Sequence, residues 1–184
     1  VRKYQWVAMP LAIHGVFVRE DGTTVKVAVG EQQDDPVFVI SDLLPHLAKE
    51  QNKKTLAEGI HGENLNVLIG SRPVDDKDVK QAVKASIIQI LHEEHGIEEE
   101  DFVSAELEIV PAGRARDLGF DRSLMLGYGH DDRICSYAGL RAILDLDKTP
   151  TRTVVVLLCD KEEIGSVGAT GMESTFFENT VAEL

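Results

Sequence analysis

The chain has 184 residues, 43% hydrophobic and 28% charged, which suits one domain of ordinary size or parts of two. Its 32 acidic and 19 basic residues give a net charge of -13, which disfavours nucleic acid and anionic membranes as partners because both attract positive charge. The sequence contains no run of about 18 apolar residues, so no transmembrane helix is predicted. Only two cysteines occur, so we expect no disulfide framework and a cytoplasmic location.

The first thirty residues predict β-structure. Residues 4–18 are apolar, aromatic and β-branched, and a proline and a glycine interrupt them, so two short strands or one bulged strand are expected. The dipeptide Asp21-Gly22 predicts a hairpin turn. Residues 23–29 alternate with a period of two, as a half-buried return strand does.

The next segment predicts two more strands and a short helix. Residues 37–40 and 65–69 are apolar and predict the strands. Ser41 and Asp42 could cap a helix over residues 43–49, and the polar residues 50–62 are expected to form a loop.

A long amphipathic helix is predicted over residues 77–95, with Gly96 as its C-terminal stop. Residues 102–110 then alternate as a strand. The composition changes after Pro111, where a loop-like segment carries three arginines that could pair with acidic neighbours or contact a peptide substrate: Arg114, Arg116 and Arg122. We therefore expect a domain of residues 1–111, followed by part of an α/β domain over residues 112–184.

In this second part, predicted strands and helices alternate, as in an α/β unit. A helix is predicted over residues 133–146, and residues 154–158 predict a strand buried on both faces, as in a parallel sheet, with Cys159 at its end. A further helix is predicted over residues 174–184. The first helix is expected to bury five side chains: Ile134, Tyr137, Ala138, Ala142 and Ile143.

Two acidic pairs carry the chemistry that the sequence predicts. Asp131-Asp132 lies at a strand-to-helix turn, and Glu162-Glu163 follows the predicted parallel strand. If the two strands are neighbours, the four carboxylates converge on one rim of the sheet, where they could hold a divalent cation. The alternative is that the aspartates cap a helix and the glutamates are solvated.

Two segments resemble the central motifs of the aspartyl aminopeptidase family, whose members are dinuclear zinc exopeptidases. They read G-H-D-D-R-I-C-S-Y-A-G-L at residues 129–140 and D-K-E-E-I-G-S-V-G-A-T-G at residues 160–171. D-L-L-P-H-L-A at residues 42–48 resembles the signature of the family's inserted second domain. F-V-S-A-E-L-E-I-V-P-A-G at residues 102–113 resembles its bacterial branch. The resemblance covers essentially the whole chain.

The resemblance implies a role for each of three acidic residues. Asp131 matches the carboxylate that bridges two zinc ions, and the bond from Asp131 to Asp132 is typically cis in such enzymes. Glu163 matches a terminal ligand of one zinc ion. Glu162 matches the general base that takes a proton from the metal-bridging water. That water, whose pKa zinc lowers to about 7, would attack the first peptide carbonyl of a bound peptide.

The resemblance also implies that this chain is the middle of a longer protein. It starts without Met and stops within a predicted helix, so we expect an excised fragment. The family's full site uses a histidine from a segment before Val1, and an aspartate and a histidine from segments after Leu184. We therefore expect the chain alone to bind zinc weakly and to hydrolyse no peptide.

An alternative function for the isolated chain is that of an interaction module. In the family the inserted β-rich domain builds the subunit contacts of a tetrahedral dodecamer, so residues 1–111 are expected to form oligomers. A histidine of that domain reaches the neighbouring active site, usually within P-H-L-A-x-H, but this chain has Glu50 at the final position. His46 is therefore either a structural residue or a contributor to the neighbouring site.

Overall fold

The computed structural model describes residues 2–183 and combines helices with β-strands, which confirms the predicted mixed α and β fold. Within the described residues, no helix has both the length and the apolar character needed to cross a membrane. The strands are β1 (Leu11–Val18), β2 (Thr24–Val29), β3 (Glu106–Pro111), β4 (Arg116–Leu118) and β5 (Leu124–Leu126). The α-helices are α1 (Ala82–His95), α2 (His130–Leu144) and α3 (Thr175–Glu183).

The chain divides into two compact units, Arg2–Tyr128 and a second unit that begins at Gly129. All five strands and α1 belong to the first unit, whereas α2 and α3 belong to the second. The sequence predicts a domain boundary near residue 112. That boundary stays a prediction. Both predicted acidic pairs lie in the second unit.

The first unit is built on an antiparallel sheet in the order β2-β1-β3. The predicted hairpin is confirmed: Gly22 has φ 81°, and Asp21 Oδ1 accepts hydrogen bonds from the backbone and the hydroxyl of Thr23 at 2.8 and 2.7 Å. Gly15 lies inside β1. This position needs a glycine because a Cβ atom there would sit 2.2 Å from the carbonyl oxygen of Glu106 on β3. The glycine therefore marks a close strand pair and not a break.

The core of the first unit lies where this sheet meets the end of α1. Phe17, Val27 and Ile97 are buried together, and the Phe17 ring packs edge-on against Phe102 with ring centroids 5.0 Å apart. Gly96 ends α1 as predicted, with φ 61° and its N–H bonded to the carbonyl of His92.

Four predicted elements of the first unit are wrong. Residues 3–6 form a 3-10 helix, and residues 43–49 form hydrogen-bonded turns without an α-helix. Residues 37–40 and 65–69 make only isolated bridges, such as the one between Val39 and Leu68. A strand needs consecutive hydrogen bonds to a neighbour, and an apolar run alone does not supply that neighbour.

Two other elements begin later than predicted. Helix α1 begins at Ala82 and not at residue 77, and residues 99–104 form a 3-10 helix before β3. Glu98 and Asp101 explain the second difference, because Asp101 Oδ2 accepts the backbone N–H of Glu98 at 2.9 Å in a reciprocal capping arrangement. The side chain of Asp101 is buried, so this cap is held in place.

The arginine-rich segment also differs from the prediction, because it contains the hairpin of β4 and β5 and is not a loop throughout. Arg122 pairs with Asp117 at 3.4 Å, and Arg114 donates to Gln32 Oε1 at 2.6 Å. Arg122 therefore pairs with an acidic neighbour, as the first of the two predicted alternatives has it, whereas the partner of Arg114 is an uncharged amide.

In the second unit the two predicted helices are confirmed, but the predicted parallel strand is wrong. Residues 154–158 have no strand hydrogen bonds, and Val155 and Leu158 are 59% and 57% exposed. Among the described residues from Gly129 onward there is no β-strand with which they could pair. Cys159 is likewise exposed, and of the five helix residues expected to be buried only Ile143 is even half-buried.

Candidate metal centre

Asp131 and Asp132 lie in the first turn of α2, where the backbone is not yet helical. Their φ/ψ angles are -87°/112° and -114°/16°, and regular helix follows from Arg133. The peptide bond between the two aspartates is cis, which confirms the geometry that the resemblance implies. Both side chains are exposed.

Gly129 makes this turn possible in two ways. Its φ of 80° lies in the left-handed region that favours glycine. A Cβ atom there would also sit 2.6 Å from Nη1 of Arg133, so the guanidinium group occupies the space that a side chain would need. The backbone N–H of Arg133 bonds to the carbonyl of Gly129 at 3.4 Å and closes the turn that carries Asp131.

Asp132 interacts with a thiol one turn further along α2. The Cys135 thiol donates to the Asp132 carboxylate, and this hydrogen bond together with the negative charge of Asp132 raises the pKa of Cys135. Asp132 is therefore engaged with its own helix. Asp131 is the carboxylate of the pair that the resemblance assigns to metal.

Helix α2 packs against the segment that leads to the second acidic pair. At Gly139 a Cβ atom would lie 3.3 Å from Cγ1 of Val156, which is tight contact. The helix that starts with the aspartates and the chain that leads to the glutamates therefore touch within one unit.

Glu162 and Glu163 begin a short 3-10 helix, Glu162–Ile164. Lys161 precedes it with φ 63°, and its carbonyl accepts the backbone N–H of Ser166 at 2.8 Å. The N–H of Gly165 bonds to the carbonyl of Glu162 at 2.9 Å. The two carboxylates are thus presented on a hydrogen-bonded turn, and both are exposed.

The turn belongs to a larger loop, residues 160–174, which we call the acidic loop. Thr170 Oγ1 donates to Asp160 Oδ2 at 2.8 Å, and this bond together with the nearby charge of Lys161 lowers the pKa of Asp160. Gly171 is buried, and a Cβ atom there would lie 2.1 Å from the carbonyl oxygen of Ser166. Gly171 therefore lets the loop close on itself.

The expected convergence of four acids is not observed. Among residues 2–183, no three His, Cys, Asp or Glu side chains lie together as ligands of one metal ion. Asp131 and Glu163 supply carboxylate oxygens, which zinc accepts as ligands, so the donor set fits part of a zinc site. Their assignment as metal ligands, and that of Glu162 as the base, stay predictions.

The histidines have other roles in the described structure. His14 is half-buried, and its Nε2 lies 2.8 Å from Oε1 of Glu31. His92 pairs with Glu98 at 2.7 Å near the C-terminus of α1. His46 is exposed within the turns of residues 43–49, so both predicted alternatives for it stay open.

Thr170 is the site residue that sequence analysis missed. Its hydroxyl lies ten positions along the chain from its partner, and no local pattern indicates such a contact. Only the folded loop brings the two side chains together. The second unit carries the exposed carboxylates that the sequence predicts for a metal-dependent hydrolase.

Comparison with known proteins identifies the family. A family model described as aminopeptidase I zinc metalloprotease (M18) matches residues 1–184. The probable M18 family aminopeptidase 1 of Clostridium acetobutylicum is 60% identical over 184 residues, which are 100% of this chain and 39% of that protein. The probable M18 family aminopeptidase 1 of Thermotoga maritima is 46% identical over 184 residues.

Solved structures give the same result. The crystal structure of the M18 aminopeptidase from Thermotoga maritima matches with a TM-score of 0.86 at 46% identity, over 98% of this chain and 39% of that chain. Aminopeptidase I from Clostridium acetobutylicum matches with a TM-score of 0.85 at 60% identity, over 99% of this chain and 40% of that chain. The chain belongs to the M18 family of zinc metalloproteases. It spans about two fifths of the length of the curated relatives that it matches.

Proposed function

We propose that the full-length protein is a zinc aminopeptidase that removes N-terminal residues from peptides. The proposal is supported by membership of the M18 family and by relatives that are named aminopeptidases. The observation that carries it is the presence of both acidic pairs, exposed, in one compact unit where α2 touches the segment leading to the acidic loop. Both cysteines are free, as in a protein of the reducing cytoplasm, where we place the enzyme.

Asp131 and Glu163 are the residues of this chain that hold zinc in the proposal. Asp131 would contribute a carboxylate to holding both zinc ions of the site, and Glu163 would contribute one to holding a single zinc ion. Zinc when bound supplies a Lewis acid that lowers the pKa of water to about 7. Because two carboxylates do not complete a tetrahedral zinc site, the remaining ligands come from other parts of the full-length protein. Domain 112–184 is then part of the catalytic domain.

Glu162 is the general base in the proposal. Successive residues of a 3-10 helix are rotated by about 120°, so adjacent side chains at its start point in different directions. Glu163 can therefore face a metal while the carboxylate of Glu162 stays free to accept a proton from the attacking water and to return it to the leaving amine. Exposure of both side chains is compatible with this division of roles.

The substitution Glu162→Gln in the full-length enzyme tests this role. We expect turnover of a peptide substrate to fall by a factor on the order of 100 or more, because an amide cannot accept the proton. Zinc content, measured by atomic emission, should stay at the level of the unsubstituted enzyme. Glu100→Gln is the matched control, since Glu100 is an exposed glutamate of the first unit. Unchanged turnover in Glu162→Gln would refute the assignment.

We also propose that the first unit forms contacts between copies of the protein, as part of a dodecamer. Three leucines of one turn region are largely exposed: Leu43 at 52%, Leu44 at 58% and Leu47 at 63%. Neighbouring exposed leucines of this kind are typical of interaction surfaces. We expect Leu44→Asp with Leu47→Asp to reduce the mass of the full-length assembly in light scattering, and an unchanged mass would contradict this role.

A further inference from the structure

The two arms of the acidic loop are joined at its base by side-chain contacts. We call residues 159–161 the first arm of the loop and residues 170–173 the second arm. Asp160 on the first arm accepts a hydrogen bond from the Thr170 hydroxyl on the second arm at 2.8 Å. Next to this pair, the Cys159 thiol lies 3.4 Å from the sulfur of Met172. These two contacts connect residues 159–160 with residues 170–172. Between them, backbone hydrogen bonds stabilise the turns of the loop.

The Asp160–Thr170 contact lies directly before the acidic turn. Lys161 is the only residue between Asp160 and Glu162, and its carbonyl accepts backbone hydrogen bonds from Ile164 and Ser166. A shift of Asp160 would therefore move the carbonyl that closes the 3-10 helix. Because the helix has a single turn, it has no other repeat to hold its direction.

The second arm also contacts the acidic turn through the backbone. Gly171 follows Thr170 and lies against the carbonyl of Ser166, where a Cβ atom would be only 2.1 Å away. The backbone N–H of Glu173 then bonds to that same carbonyl at 3.2 Å. The position of the second arm is therefore coupled to the backbone that follows Glu163.

We propose that Thr170 is a positioning residue for the aminopeptidase reaction and acts through its hydrogen bond to Asp160. The bond fixes the first arm of the acidic loop, and the first arm fixes the directions of the Glu162 and Glu163 side chains. The inference rests on the proposed function, since it assigns Thr170 to the same site. Neither Thr170 nor Asp160 contacts substrate or metal in this role.

The test uses the full-length zinc enzyme with Thr170→Val, which keeps the shape of the side chain and removes the hydroxyl. We expect kcat to fall by a factor on the order of 10 to 100, because small displacements of catalytic groups are costly, and KM to stay within about twofold. Hydrogen exchange measured by mass spectrometry should be faster in residues 160–174 and unchanged in α1. Thr170→Ser keeps the donor and should restore both kcat and slow exchange.

Two further variants separate positioning from a general structural effect. Thr180→Val is the matched control, because the Thr180 hydroxyl bonds to the carbonyl of Phe176 at 2.8 Å, within its own helix α3. Its kcat should not change. Asp160→Ala should lower kcat at least as much as Thr170→Val, because it also removes the ion pair between Asp160 and Lys161 at 3.5 Å. The double variant should lose no more than Asp160→Ala alone, because the bond to Thr170 is already absent in that variant.

Three results would overturn the inference: a kcat for Thr170→Val within about twofold of the parent, a loss equalled by Thr180→Val, or losses from Asp160→Ala and Thr170→Val that multiply. A Thr170→Val protein that fails to fold would also overturn it in favour of a structural role. Failure of the proposed function is recognised separately, because the unsubstituted full-length protein would then show no peptide turnover, whatever hydrogen exchange reports for Thr170→Val.

Discussion

Asp35 shows how a single carboxylate organises a loop in the first unit. Its Oδ2 accepts the backbone N–H groups of Gln32, Gly30 and Glu31 at 2.9, 3.0 and 3.0 Å. These bonds favour the charged form, so they lower the pKa of Asp35 below its ordinary value of 3.8. The loop after β2 therefore depends on the ionisation of this residue.

The pH dependence follows from the direction of that shift. A carboxyl group with a lower pKa in the folded state stabilises the fold above pH 3.8, and this contribution is lost as the pH falls through the folded-state pKa. We expect Asp35→Asn to lower the urea midpoint at pH 7 and to change it little at strongly acidic pH. The measurement is urea unfolding followed by circular dichroism at both pH values.

Asp34→Asn is the control for this prediction, because it removes the same charge from the neighbouring exposed position. Its urea midpoint should stay near that of the parent at both pH values. Equal losses in the two variants would show that charge alone matters, and would contradict a role for the three backbone hydrogen bonds.

At the same scale, the two acidic pairs stood out in the sequence itself, whereas the separate roles of Asp131, Glu162 and Glu163 came only from the resemblance. Spacing alone left open whether the acidic pairs bind a cation or simply cap a helix and face solvent. The Asp132–Cys135 and Asp160–Thr170 contacts could not be predicted, because each depends on how a turn closes in three dimensions. The sequence showed the acidic residues of the site but not the side chains to which they bond.

At the scale of elements, β3 lies close to β1 at Gly15. A Cβ atom at this position would lie 2.2 Å from a backbone carbonyl and 2.6 Å from the Leu107 side chain, so the two strands would have to move apart. We expect Gly15→Ala to lower the free energy of unfolding by about 1–3 kcal/mol, as overpacking does. Chemical denaturation measures it.

Gly62→Ala is the matched control for Gly15→Ala. A Cβ atom at Gly62 would meet no atom closer than 3.9 Å, so the same substitution adds a methyl group without a clash. Its free energy of unfolding should stay within about 0.5 kcal/mol of the parent. If Gly15→Ala behaved like the control, the tight packing of β1 against β3 would be disproved.

Elements with strong local signals were the ones that the sequence predicted well. The hairpin at Asp21-Gly22, the stop of α1 at Gly96 and helix α2 each depend on residues within a few positions. The strand predicted over residues 154–158 failed because a buried strand needs neighbours on both sides. The described part of its unit contains no strand.

At the scale of the whole molecule, the two units differ in how much core they contain. The residues buried in the first unit include Leu11 and Ile97, which are fully inaccessible to solvent. In the second unit large apolar side chains such as Tyr137, Leu158 and Phe176 are 63%, 57% and 69% exposed. The chain spans 39% of its relative from Clostridium acetobutylicum. We infer that these exposed side chains are covered in the full-length enzyme.

In the proposed function, Asp131 and Glu163 of the second unit hold zinc, and Glu162 moves a proton. The measurement that tests it most directly is the zinc content of full-length Asp131→Asn, Glu163→Gln and Glu162→Gln enzymes after dialysis, read beside their turnover. We expect Asp131→Asn and Glu163→Gln to lose zinc, whereas Glu162→Gln keeps its zinc and loses turnover. Full zinc content in Asp131→Asn and Glu163→Gln, or zinc loss confined to Glu162→Gln, would contradict it.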